Sequence, residues 1–184
     1  MFNLMTRNYS PVSREDHHNK LKAFIESCRG LPPPKYEYKH TISDGVYFRQ
    51  LTLRRGGLIV GAVHKRETAL IMLSGMIRVF SEDGIQVLKP PMLKISPPGT
   101  QRAGLALEDS VLMTIHRVDS NDLEEIVREL VDYDSQEISG VTEGSYKLYN
   151  NGRKIKDEKI QPPNKDLIGN RNLQRILSNW DEYW

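Results

Sequence analysis

"GAVHKRETALIMLSGMIRVFSEDG", residues 61–84, decides the fold. An apolar run ends on His64, a charged turn follows at Lys65-Arg66-Glu67, and "TALIML" and "MIRVF" come next, separated by Ser74-Gly75. Short runs rich in branched residues and broken by glycine are the pattern of strands in an all-β domain. Glu82-Asp83-Gly84 then closes a hairpin, because glycine accepts the positive φ that a tight turn demands.

The same rhythm extends to both sides. "GVYFRQLTL" (45–53) and "LIVGAVH" (58–64) precede it, and "IQVL" (85–88), "MLKI" (92–95) and "SVLMTIH" (110–116) follow. Strands this short and this regularly punctuated belong to a sandwich or barrel rather than to alternating strands and helices. The β-rich part covers residues 36–118.

The flanks read differently. Residues 1–35 form an arm and a helix. Ser13 caps that helix with Asp16 three positions on, Leu21, Phe24, Ile25 and Cys28 share a face, and Gly30 ends it. His17 and His18 occupy adjacent positions, which cannot face one metal as an i,i+4 pair does, so both are expected in solvent. "LPPPKY" (31–36) is a stiff linker. Residues 119–134 give a second helix, capped by Asp119 or Ser120, with Leu123, Ile126, Val127 and Leu130 as its apolar stripe. Residues 135–184 form a polar extension with a hairpin at Asn151-Gly152. It ends in an amphipathic helix where Leu173, Ile176, Leu177 and Trp180 align. With Tyr183 and Trp184 these residues present too much apolar surface for water, and they are the expected interface with a partner.

Composition narrows the class. A net charge of +2 over 184 residues does not provide the excess of Lys and Arg that a nucleic-acid coat needs, so no nucleic acid is expected. The longest apolar run, Ala69 to Leu73, falls far short of the roughly 20 residues that cross a bilayer. The opening "MFNLMTRNYSPVSRED" lacks a secretory core. Cys28 is the only cysteine, which rules out an intramolecular disulfide and fits a reducing compartment.

At this point the β-part resembles the cupin family of small jelly-roll barrels. Their first motif places two histidines and a glutamate before a closing glycine, and their second runs Pro-x-Gly-x-x-His. Counting back from Gly75 puts Thr68 at the glutamate, His64 at the second histidine and Ala62 at the first. Glu67 is one position out of register. The second motif is "PPGTQR", with Pro97 and Gly99 in place and Arg102 where the third histidine belongs. The cadence "LSG…EDG…SPPGTQRAG…EDS…TIH" over residues 45–118 is also similar to cupin-like proteins of tailed bacteriophages. The resemblance implies a mostly β fold, a single cupin-type jelly-roll barrel with an N-terminal helix and helical C-terminal extensions.

The departures from the motif carry the functional expectation. Alanine cannot ligate a metal, threonine ligates poorly, and arginine adds a fixed positive charge. A metal-free barrel is therefore expected, the alternative being iron, manganese or zinc at His64. Tyr47, His64, Arg66, Glu67, Arg102 and His116 are the candidate pocket residues, with Phe48 on the strand of Tyr47. Arg102 is expected to pair with Glu67 or Glu108 near the barrel rim. The resulting reading is a non-enzymatic phage structural or accessory protein, in the virion or the infected-host cytoplasm, gripping neighbouring subunits or copies of itself through its extensions. Two alternatives use the barrel mouth. One is a cupin enzyme, either a metal oxygenase or a sugar isomerase or epimerase with His64 as base and Arg102 holding an anion. The other is a module that binds a small ligand or a host protein.

Overall fold

The structure, a computed structural model, describes residues 13–27, 36–132, 146–150 and 153–157. A helix, α1 (Arg14–Ser27), precedes nine strands: β1 (Tyr36–Ser43), β2 (Val46–Leu53), β3 (Leu58–Val60), β4 (Thr68–Ser74), β5 (Ile77–Ser81), β6 (Gly84–Leu88), β7 (Met92–Ser96), β8 (Ala103–Ala106) and β9 (Ser110–Arg117). Then come α2 (Leu123–Leu130), β10 (Tyr146–Asn150) and β11 (Arg153–Asp157). One sheet runs β11-β10-β1-β2-β9-β4-β7 and the other β3-β8-β5-β6. Between β2 and β9 the chain changes sheets at every step except the β5–β6 hairpin. The resulting orders β2-β9-β4-β7 and β3-β8-β5-β6 are those of an eight-stranded jelly roll. The mostly β jelly-roll barrel expected from the sequence is present.

Local chemistry explains the turns. Gly84 takes φ 89° at the β5–β6 hairpin, where Ser81 pairs with Gly84. Asp44-Gly45 joins β1 to β2 with both residues at positive φ, the two-residue turn that suits the twist of a hairpin. Strand β10 adds to β1 in parallel and pairs antiparallel with β11, so the expected hairpin around residues 151–152 joins the larger sheet.

Three apolar clusters hold the fold. Leu51, Leu53, Met72, Ile77 and Val79 fill the barrel. Leu21 and Phe24 of α1 pack with Leu58, Val60, Phe80 and Leu105 of the smaller sheet. Ile126 and Leu130 of α2 bury Ile42, Tyr47 and Val118 at one end of the barrel. Ser13 caps α1, its Oγ accepting from the Asp16 amide at 3.1 Å.

Two expectations are corrected. His17 is fully buried rather than solvated: its Nε2 lies 2.8 Å from the Gln101 carbonyl and its ring packs on Phe80, which anchors α1 to the barrel. The cap of α2 is Asp122, whose carboxylate accepts from the Glu124 and Glu125 amides at 2.9 and 3.0 Å. Asp119 instead pairs with Arg66 and Arg117, and Ser120 bonds Glu125 and the Asp122 amide. No helix among the described residues is long and apolar enough to cross a membrane. Cys28, Gly30, the 31–35 linker and the terminal candidates Leu173, Ile176, Leu177, Trp180, Tyr183 and Trp184 lie outside the described residues.

Gly75 sits at φ 79°, and a Cβ there would run into the Asp109 carbonyl and Ser110. Gly75→Ala is expected to destabilise the barrel by roughly 1–3 kcal/mol. Thermal denaturation checks this, and an unchanged midpoint would remove Gly75 from its structural role.

Candidate functional site

The barrel encloses a cavity of about 130 Å³. Strand alternation decides what faces it. From β2 come Arg49 and Leu51, from β4 Thr68, Leu70 and Met72, and from β9 Leu112 and Thr114. Register arranges these in layers. Arg49 stands opposite Thr114, and Thr68 opposite Ser96. Leu51, Leu112, Met72 and Met92 follow one another as the next row of the same face. One end of the cavity is therefore polar and the other is hydrocarbon.

His64 reaches the polar end from the turn after β3. Its amide lies 3.4 Å from the Thr100 carbonyl and its carbonyl accepts from the Gly99 amide at 2.8 Å, which ties it to the "PPGT" turn. On the other side the segment pairs with the end of α2, through Lys65 N to Leu130 O at 2.8 Å and Asp132 N to Val63 O at 2.9 Å. Gly99 at φ 83° gives the turn its shape.

Thr68 stands between two imidazoles. Its Oγ1 is 2.8 Å from His64 Nδ1 and 3.4 Å from His116 Nδ1, and the two rings stack with centroids 5.3 Å apart. His116 stacks in turn on Tyr47, whose hydroxyl lies 2.6 Å from His40 Nδ1. Burial is the largest cause lowering the pKa of His64 and His116 to about 3 and of His40 to about 4, with the Arg49 charge adding to it. All three are neutral at pH 7. Burial pushes the Tyr47 phenol up to about 12.

The structure places His64 and Arg102 in the cavity lining, stacks His116 on His64 and Tyr47 on His116 outside that lining, and keeps Arg66 and Glu67 away from it. Arg66 turns outward to the Glu129 and Asp119 carboxylates, joining the His64 turn to α2, and Glu67 is exposed. Phe48 alternates with Tyr47 and Arg49 and so points away from the barrel interior. Arg102 lines the cavity and, among the described residues, ion-pairs with neither Glu67 nor Glu108. Its guanidinium is largely desolvated, which lowers its pKa from the ordinary arginine value, while Asp83 and Glu82 act the other way.

Arg49 is the residue that sequence reasoning missed. It lines the same cavity, its guanidinium 5.9 Å from the centre of the Tyr38 ring, and it makes no ion pair among the described residues. Ser96 and Thr114 complete the polar end. Both hydroxyls are buried without a hydrogen-bond partner among the described residues, and both residues line the cavity.

These residues do not fit a divalent metal. Ala62 offers no donor at the first histidine position, the Thr68 hydroxyl lies between the two Nδ1 atoms, and two arginines line the space. No group of three His, Cys, Asp or Glu side chains that could hold a metal gathers among the described residues.

No family model matches the sequence, and comparison with curated proteins finds no match. Solved structures do match. KdgF from Halomonas sp. is similar with a TM-score of 0.43 and 17% identity, over 52% of this chain and 88% of its own. A cupin superfamily protein from Desulfitobacterium hafniense gives 0.41 and 15%, over 52% and 88%. The cupin domain of Cnp3 from Schizosaccharomyces pombe gives 0.40 and 18%, over 56% and 81%.

The lowered histidine pKa values set the direction of the pH response. Below about pH 6.5 the unfolded chain takes up protons that the native state refuses, so stability falls as pH drops from 6.5 toward 4. The slope reaches on the order of 1 kcal/mol per pH unit for each such histidine. Melting curves of the wild type and of His116→Gln between pH 7 and 4.5 check this, the variant losing about one histidine's share of the slope. A melting temperature independent of pH across that range would show that the imidazoles are not held neutral by the fold.

Proposed function

We propose that the chain is a metal-free cupin-type barrel that binds a small organic anion, a carboxylate with a hydrocarbon body. One observation carries the reading: Arg49, Arg102 and the orphaned hydroxyls of Ser96 and Thr114 share the lining of a single cavity. A buried hydroxyl without a partner costs about 1–3 kcal/mol, and a partly desolvated guanidinium gains from an anion beside it. A carboxylate supplies acceptors to all four groups, and guanidinium is the side chain that grips it in two parallel bonds.

The other end of the cavity defines the rest of the ligand. Leu51, Met72, Ile77, Val79 and Leu112 offer no polar group there, so the body of the ligand is apolar. About 130 Å³ accommodates roughly one six-membered ring, by analogy with engineered apolar cavities of similar size that take up benzene. A bare phosphate would satisfy the arginines but leave the hydrocarbon end without contacts, and a sugar would bring hydroxyls to a wall that cannot bond them. The scaffold reading, with phage subunits as partners, draws on residues 170–184 and on the motif cadence. The residues described here support the ligand-binding reading.

Calorimetric titration with benzoate and hexanoate, beside benzamide, glucose and inorganic phosphate, tests the proposal. The carboxylates are expected to bind and to raise the melting temperature, and the amide, sugar and phosphate are not. Arg49→Gln and Arg102→Gln are each expected to weaken carboxylate binding by roughly 10- to 100-fold, the worth of one charge-assisted contact. Equal affinity for benzoate and benzamide, or binding indifferent to both arginine substitutions, would refute it.

A further inference from the structure

Arg102 enters the cavity from the rim of the barrel, beside two acidic residues. Phe80 of β5 pairs with Ala103 of β8, so Ser81 and Arg102 come next on the two chains. Glu82 and Asp83, between the paired Ser81 and Gly84, form the turn that follows. A carboxylate one residue beyond a cross-strand neighbour is within reach of a side chain as long as arginine. Both charges are felt at the Arg102 guanidinium and favour its cationic form, Asp83 more than Glu82. Each acid is nevertheless paired elsewhere. Arg14 of α1 meets Glu82, Nε to Oε1 3.0 Å, and Lys94 of β7 meets Asp83, Nζ to Oδ2 3.0 Å.

The fold holds both cations in place. Arg14 stands one helical turn before His17, whose Nε2 lies 2.8 Å from the Gln101 carbonyl, so the helix is docked at the residue next to Arg102. The Arg14 guanidinium lies on the "PPGT" turn, where a Cβ at Gly99 would come within 2.8 Å of Nη1. Lys94 also donates to Gln86 Oε1 at 3.1 Å, which fixes it over the β6 strand that leaves the turn.

We infer that Arg14 and Lys94 are positioning residues, occupying Glu82 and Asp83 so that Arg102 is left for an anion in the cavity. This rests on the carboxylate-binding reading and adds to it a control from outside the lining, since neither cation lines the cavity. Of these three cations and two carboxylates, the cation left over is the one that faces the ligand. Ion pairs this close to solvent are weak, so partners exchange readily. Without Arg14, Glu82 would turn to Arg102 and compete with the ligand for it.

Calorimetric titration of the full chain with benzoate tests this. Arg14→Gln and Lys94→Gln are each expected to weaken binding by roughly 2- to 5-fold, the worth of an ion pair near the surface. Arg14→Lys should keep the wild-type affinity. Glu82→Gln should restore it in the Arg14→Gln background, and Asp83→Asn in the Lys94→Gln background, which a loss caused by loosened packing would not allow. Arg54→Gln, which removes the exposed pair with Asp109, should change nothing. The Arg102 Nε–H resonance of the ligand-free protein, assigned by its loss in Arg102→Lys, gives a second readout. It should shift in Arg14→Gln and return when Glu82→Gln is added. That shift in a protein whose wild type does not take up benzoate would uphold the pairing and refute the ligand reading alone. Affinities and resonance indifferent to Arg14 and Lys94, or a loss that Glu82→Gln does not reverse, overturn the inference.

Discussion

Two guanidinium groups share the lining of one small cavity, and among the described residues no carboxylate lines it beside them; much of the site follows from this. Transferring a charge out of water costs several kcal/mol unless hydrogen bonds and an opposite charge replace its hydration. The Arg49 charge helps hold His40, His64 and His116 in their neutral form, so the imidazoles do not add to the positive field. The same field opposes a divalent cation in the cavity. The donor-poor lining and the two arginines act in the same direction, disfavouring a cation in the cavity.

The fold connects this cavity to its surroundings through His64. Its backbone is clamped between the "PPGT" turn and the end of α2, and its ring is held against Thr68 and His116. Arg66, two residues on, fastens the same turn to Glu129 on α2. Helix α2 closes the end of the barrel that holds Tyr47, so any displacement of α2 bears directly on the His64 backbone. On the far side, the buried His17 ring reaches the carbonyl of Gln101, the residue next to Arg102. Both helices thus brace the chain within two residues of a side chain that lines the cavity, and neither contributes to the lining itself.

Much of the barrel was legible because its strands carry branched and aromatic residues between strong turn signals. Two strands escaped. Strand β8 is "AGLA", poor in β-formers, and the reason is steric: a Cβ at Gly104 would press on Ile59 and Ile77 from the flanking strands, so small residues are required there. Strand β1 alternates Glu37, Lys39 and Thr41 with its inward Tyr38, His40 and Ile42, and only Asp44-Gly45 marked its end. At the site, spacing located His64, Thr68 and Arg102 because the motif glycines fix the count. Arg49 carried no motif, and its role depends on a neighbour, Thr114, that lies 65 positions away in sequence and directly across the ladder. Alternation from Tyr47 would have placed it on the inward face. Arg66 and Glu67 were drawn in by proximity to His64, although the turn that presents His64 points them elsewhere.

The state of His64 also bears on whether a barrel of this kind does chemistry. A general base is most effective when its pKa lies near the working pH, and an imidazole held at about 3 is a weak one in the unliganded protein. An anion bound on the proposed reading would change this. Its negative charge would offset the two guanidiniums, whose charge is among the causes lowering His64, and the imidazole would become more basic once the cavity filled. Proton affinity would then rise with occupancy, so the group best placed to move a proton would become competent only beside its ligand. Binding and any later catalysis would be successive demands on the same charges. On that reading the arginines and hydroxyls serve the first demand, whether or not a bond is ever broken.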